Sequence, residues 1–205
     1  MTPAAAHRAG AVLPILLHPA PVLRALCAPP ASPPLLLLSD LAASAAAHGA
    51  LGLAAPQLGV ALRALVLLRP VAWTEAQLGA RAGRRRGGGA APPPPPPYLA
   101  CVNPRILHAS AATAVGLEGC LSLPGLPALV RRAQAITVEY EDAQGERARL
   151  ELSGLPAAVF QHELDHLDGV LLLDKQEPLP LGREQDTLRA ADRAFRRSVA
   201  GFYPR

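Results

Sequence analysis

Prolines at positions 14, 19, 21, 29, 30, 33 and 34 forbid a long helix at the start of this chain. Each ring removes a backbone donor and clashes with the preceding helical turn. The opening stretch therefore reads as extended chain. The first helix is expected from about Leu35 to His48, where Leu and Ala dominate, Asp40 fits and Gly49 supplies a stop. A second proline block, the six residues 92–97, follows an Arg-Arg-Arg-Gly-Gly-Gly run. Residues 70–97 thus read as a low-complexity insertion that cannot form a core, stiffened at its end by polyproline II geometry. Around it, strands are expected over Val60–Leu68, Tyr98–Val102, Arg105–His108, Ala128–Tyr140 and Arg147–Leu152. Asp142 to Gly145 turns between the last two. A helix from about Gly154 to Leu167 carries proline in its first turn, and an amphipathic helix over roughly 183–199 closes the chain. Strands flanking one helix point to an α+β class, and 205 residues suit a single domain, 1–205.

Composition excludes several functions. Three cysteines cannot build a disulfide scaffold and suit a reducing compartment. No apolar run is long enough and free of charge and proline clusters to cross a membrane as a helix. The net charge of +4 sits in the insertion (Arg81, Arg84, Arg85, Arg86) and in the tail 183–205, leaving the rest slightly acidic. That distribution, without aromatic residues on a basic strand, argues against a specific nucleic-acid ligand. With 41 alanines and 19 Arg beside one Lys, the basicity looks like GC-rich codon bias.

The chemical signal is His162-Glu163-Leu164-Asp165-His166. Histidines at i and i+4 on one helix share a face and can hold one metal ion, with Glu163 within reach of a water on that ion. A third ligand decides the enzyme class. In the metzincin proteases it is a histidine six residues further on, where this chain has Leu172. A downstream carboxylate, Glu177 or Glu184, would make a short zinc endopeptidase. The upstream candidate is Cys120, within Glu118-Gly119-Cys120-Leu121-Ser122, as a thiolate. Cys27 and Cys101 read as small buried hydrophobes.

These residues resemble the peptide deformylases. Ala50-Leu51-Gly52-Leu53-Ala54-Ala55-Pro56-Gln57 is similar to the first family motif, with Ala50 where glycine is usual. Glu118 to Ser122 and Gln161 to Leu167 match the second and third in full. Weaker similarity at residues 18–24, 102–104 and 169–171 extends the match over about 12–177. The resemblance implies antiparallel sheets packed around a central helix bearing the HExxH motif. It also implies removal of formyl groups from N-formylmethionine on nascent peptides. By the same resemblance Cys120, His162 and His166 hold the metal, Fe²⁺ being favoured over Zn²⁺, Co²⁺ or Ni²⁺. Glu163 is then the proton acceptor, and Gln57 and the backbone of Leu121 hold the oxyanion. Leu51 and Gly52 line the substrate groove, and Glu118 pairs with Arg131 to brace the methionine pocket, while Asp165 anchors the helix by a salt bridge. A non-catalytic homologue is the remaining alternative, with Ala50 its best support.

The insertion resembles in position the extensions of organellar deformylases, which suggests a mitochondrion or plastid. The first 39 residues lack Asp and Glu but hold only two Arg, unlike a usual transit peptide, so the bacterial cytoplasm is the alternative. Arg84 to Arg86 are a candidate contact with the ribosome near its exit tunnel, against the plainer reading of a solvated loop.

Overall fold

A computed structural model describes residues 9–69 and 97–178, together with Asp186, Arg189 and Arg193. The insertion, residues 70–97, and the closing helix, about 183–199, lie almost wholly outside the described residues.

Within residues 9–69 and 97–178, two α-helices, α1 (Leu35–Ala47) and α2 (Leu155–Leu167), accompany seven strands: β1 (Gly52–Ala54), β2 (Ala64–Leu68), β3 (Tyr98–Ala109), β4 (Thr113–Glu118), β5 (Ala128–Ala133), β6 (Ala135–Glu141) and β7 (Arg147–Ser153). An antiparallel five-stranded sheet runs β1-β2-β3-β6-β7, and β4 pairs with β5 alone. The class is α+β.

Side-chain alternation explains the layering. Along β2, Leu65 and Leu67 join one core cluster with Phe160 of α2, while Ala64 and Val66 join another with Leu38 and Leu41 of α1. Successive strand residues point to opposite faces, so α1 and α2 cover the two sides of this part of the sheet. That is why β2 reads as an unbroken apolar run instead of an alternating one. Further out, Ile136, Val138 and Tyr140 on β6 and Leu150 and Leu152 on β7 alternate, all into the α2 side.

Several boundaries differ from expectation. The segment from 128 to 140 is two strands in different sheets, because the chain crosses over at Gln134, whose N–H bonds the carbonyl of Ala112. The expected pair Tyr98–Val102 and Arg105–His108 is one strand, bulged at 102–105 and 106–108, with Asn103 at φ 50°. Strand β2 starts at Ala64, after Gly59 turns the chain at φ 85°. Strand β4 was not anticipated; four of its six residues are exposed, so it carries no apolar periodicity and exists through its ladder with β5.

The opening segment is a strap across the molecule. Ala11 and Leu13 donate backbone bonds to Asp40 Oδ1 (2.9 Å) and Ser44 Oγ (3.0 Å) on α1. Leu16 then donates to the carbonyl of Gln57 (2.8 Å) and His18 to that of Ser122 (2.9 Å).

Candidate metal centre and cleft

Helix α2 begins after Gly154, which holds φ 63°, and takes Pro156 into its first turn. Its buried face carries Phe160, His162, Glu163, His166 and Leu167. The apolar members anchor the helix in the core, and the polar three are drawn in with it. His162 and His166 are one helical turn apart, with ring centroids 5.0 Å apart and planes at 78°. Cys120 arrives from the loop after β4, where the N–H of Leu123 closes a turn onto its carbonyl at 3.0 Å. Its Sγ lies 3.3 Å from His166 Nε2, and the donor atoms of Cys120, His162 and His166 all lie within 4.8 Å of one another.

The structure also fixes the imidazole of His162. Its Nδ1 hydrogen-bonds Glu118 Oε2 at 2.8 Å, leaving Nε2 as the ring atom that can ligate. Such a carboxylate behind a histidine orients a metal ligand. The surroundings suit a cation: Glu163 Oε2 and His166 Nδ1 are buried without a hydrogen-bond partner among the described residues. Thiolate and imidazole are the donors that first-row divalent ions prefer. The residues present fit a metal.

Burial raises the Glu163 carboxyl to about 7, against the opposing pull of His162. Burial and the neighbouring His162 push His166 down to about 3, so its ring is neutral and able to ligate. Burial would also raise Glu118, but hydrogen bonds from Arg132 and His162 outweigh it and hold this carboxylate at about 2.

The partner of Glu118 corrects the expected pairing with Arg131. On β5 the alternation turns Val130 and Arg132 inward and Arg131 outward. Arg132 Nε and Nη2 grip the two oxygens of Glu118 at 2.8 and 2.9 Å, and its Nη1 bonds Asp165 at 2.5 Å. Arg131 instead meets Glu177 at 2.9 Å on the surface. The cue lay in the sequence: the apolar residues Ala128 and Val130 share the parity of 132. Asp165 does anchor α2, through Arg132 and through Lys175 at 2.7 Å. Arg132→Met should therefore leave Glu118 with only His162 and Asp165 with only Lys175 as partners and cost up to about 3–5 kcal/mol, against less than about 1 kcal/mol for Arg131→Ala. Denaturant midpoints of the two variants check this; equal losses would refute the assignment.

Gln57 sits beside the ligands. Its Oε1 accepts the N–H of Ala54 at 2.9 Å, which aims Nε2 at Ser122 Oγ (3.2 Å) and Cys120 Sγ (3.7 Å). Gly52 passes so close to Glu163 that a Cβ there would meet Glu163 Cγ at 2.7 Å. Gly52→Ala should thus displace the carboxylate and lower kcat by roughly 10²-fold, the cost of about 1 Å of misplacement. Steady-state kinetics with a check of metal content would show it. Ala50 lines the cleft and packs against the cluster under α1, its carbonyl held by Tyr98 Oη at 2.7 Å. Leu51 and Leu121 also line the cleft, whose volume is about 780 Å³. Cys27 and Cys101 are buried core residues away from the three-ligand cluster.

The family model for polypeptide deformylases matches residues 12–180. A peptide deformylase of Roseiflexus castenholzii is 40% identical over 140 residues, 68% of this chain and 71% of that protein. The crystal structure of peptide deformylase from Thermotoga maritima superposes with a TM-score of 0.65 at 32% identity, over 82% of this chain and 99% of that one. The Met-Ala-Ser bound structure of a class I type b peptide deformylase from Acinetobacter baumannii gives 0.64 at 29% identity, over 81% and 99%.

Proposed function

The chain belongs to the polypeptide deformylase family and removes the N-formyl group from nascent polypeptides, and we propose that Cys120, His162 and His166 hold the single divalent metal ion this hydrolysis needs. The observation that supports the assignment is the convergence of one sulfur and two imidazoles near Glu163, a buried residue with an oxygen that has no hydrogen-bond partner among the described residues. When bound, the ion supplies Lewis acidity and lowers the pKa of a water to about 7.

The chain's own residues do the remainder. Glu163 accepts the proton of the attacking water and returns it to the leaving amine, a transfer suited to a carboxyl whose pKa burial brings near neutrality. Gln57 Nε2 and the backbone N–H of Leu121 donate to the oxygen of the formyl group as its charge develops. Glu118, clamped by Arg132, keeps His162 turned toward the site. Gly52 lets the Glu163 side chain lie against its backbone, and Leu51 lines the cleft beside it. We read α2 as the central helix of the fold in this sense: every proton movement is referred to its buried face.

Fe²⁺ is the proposed ion, with Zn²⁺, Co²⁺ and Ni²⁺ as substitutes the same donors accept. The compartment is one in which formylmethionine starts translation. The bacterial relatives support the bacterial cytoplasm over a mitochondrion or plastid. Arg84 to Arg86 would supply charge for docking at the ribosome, the plainer reading of that run being a solvated loop. Formate release from formyl-Met-Ala-Ser, with casein as the control for peptidase action, tests the reading. Casein cleavage without formate would restore the endopeptidase, and neither activity the non-catalytic homologue.

A further inference from the structure

Ala50 stands where the first family motif usually has glycine. Asn103 is the one non-glycine residue with a positive φ among the described residues, so the backbone at Ala50 does not call for glycine. The methyl group of Ala50 packs against the cluster under α1 that contains Leu38, Leu41 and Tyr98. Its carbonyl oxygen accepts a hydrogen bond from Tyr98 Oη at 2.7 Å. Tyr98 is the first residue of β3, buried at 7% exposure and paired with Leu68 on β2.

Three hydrogen bonds thus hold the stretch from Ala50 to Gly52. The N–H of Ala50 donates to the carbonyl of Ala45 at 2.9 Å, and the N–H of Leu68 donates to the carbonyl of Leu51 at 2.7 Å. Those two are main-chain bonds that many side chains would permit. The third depends on one hydroxyl, reaching across 48 residues of sequence. What the stretch must keep in place is Gly52. A Cβ there would meet Glu163 Cγ at 2.7 Å and Oε1 at 2.8 Å, so the carboxylate lies against main chain with no slack. A small displacement of Gly52 is therefore passed to Glu163, and misplacement of a reacting group is costly in rate.

We propose that Tyr98 is a positioning residue: through the Ala50 carbonyl its hydroxyl sets the separation of Gly52 from Glu163, and the Ala50 methyl seated under α1 completes the hold. Tyr98 does not line the cleft, so its influence passes through residues 50–52. This rests on the deformylase reading. The test is formate release from formyl-Met-Ala-Ser, with kcat and KM separated and metal content measured. Tyr98→Phe keeps the ring in its cluster and should lower kcat by about tenfold, the upper worth of one hydrogen bond, with KM and metal content little changed. Ala50→Gly should lower kcat by about threefold, since glycine's added freedom loosens the same stretch. In the Glu163→Ala background, Tyr98→Phe should alter the residual rate by less than about twofold, because the group it positions is gone. An equal loss in both backgrounds would show a purely structural hydroxyl and overturn the proposal, as would wild-type kcat in Tyr98→Phe. Amide exchange reads the hold without turnover: the Leu68 N–H should exchange several-fold faster in Tyr98→Phe, and unchanged exchange also overturns the proposal. Absence of formate from the wild-type protein would instead overturn the deformylase reading.

Discussion

Glu163→Ala is expected to lose at least about 10²–10⁴-fold in kcat while the protein still binds its metal. The glutamate is outside the proposed ligand set of Cys120, His162 and His166, so removing it leaves all three donors in place. What disappears is a buried carboxyl whose Oε2 has no hydrogen-bond partner among the described residues and whose pKa burial lifts to about 7. Truncating it also relieves the cost of burying an unpaired polar group, so thermal stability should hold or rise. Rate, metal content and melting temperature belong in one experiment. A variant within a few-fold of wild type would end the proton-transfer role. One that loses rate and metal together would show that the carboxylate supports the site mainly by structure.

Cys120→Ser should lose metal and, with it, activity, whereas Cys27→Ser and Cys101→Ser should retain both. The contrast follows from position. Cys120 Sγ faces His166 Nε2 at 3.3 Å, while Cys27 and Cys101 pack among apolar side chains. A serine oxygen is a harder and less readily ionised donor than a thiolate. The two core variants pay in stability, since each buries a hydroxyl in an apolar site. Air exposure gives the second arm. The iron-loaded protein should lose activity as Cys120 climbs the sulfenic–sulfinic series, and the zinc-loaded protein should keep it, because Zn²⁺ has no redox chemistry. Mass spectrometry of the Cys120 peptide locates the oxygen. Retention of tight metal binding by Cys120→Ser would return the third ligand to a downstream glutamate.

What could be read from the sequence divides along physical lines. Helices α1 and α2 were legible to within a residue or two because their ends are chemical: prolines before Leu35, Gly49 after α1, and Gly154-Leu155-Pro156 at the start of α2. The candidate metal-holding group was legible because two of its members come from one helical turn and the third from a motif of its own. Strand β4 was not, since the residues that make it a strand are its partners on β5. The division of 128–140 into two sheets was hidden for the same reason: both halves look equally strand-like. The partner of Glu118 fell one residue away from its expected place, an error that strand parity would have caught. The hydrogen bond from His162 to Glu118 had no signature at all, because it joins residues 44 apart through the fold alone.

The strap at the start of the chain makes two amide protons into remote reporters. Leu16 and His18 donate to the carbonyls of Gln57 and Ser122, residues whose side chains stand beside Cys120. Their exchange with solvent deuterium requires those bonds to open. Anything that binds the folded site and stiffens the 55–58 turn or the 120–123 turn must therefore slow exchange at Leu16 and His18 without contacting either. Occupancy of the metal centre can then be followed from the opposite end of the polypeptide, in a protein that has lost all turnover.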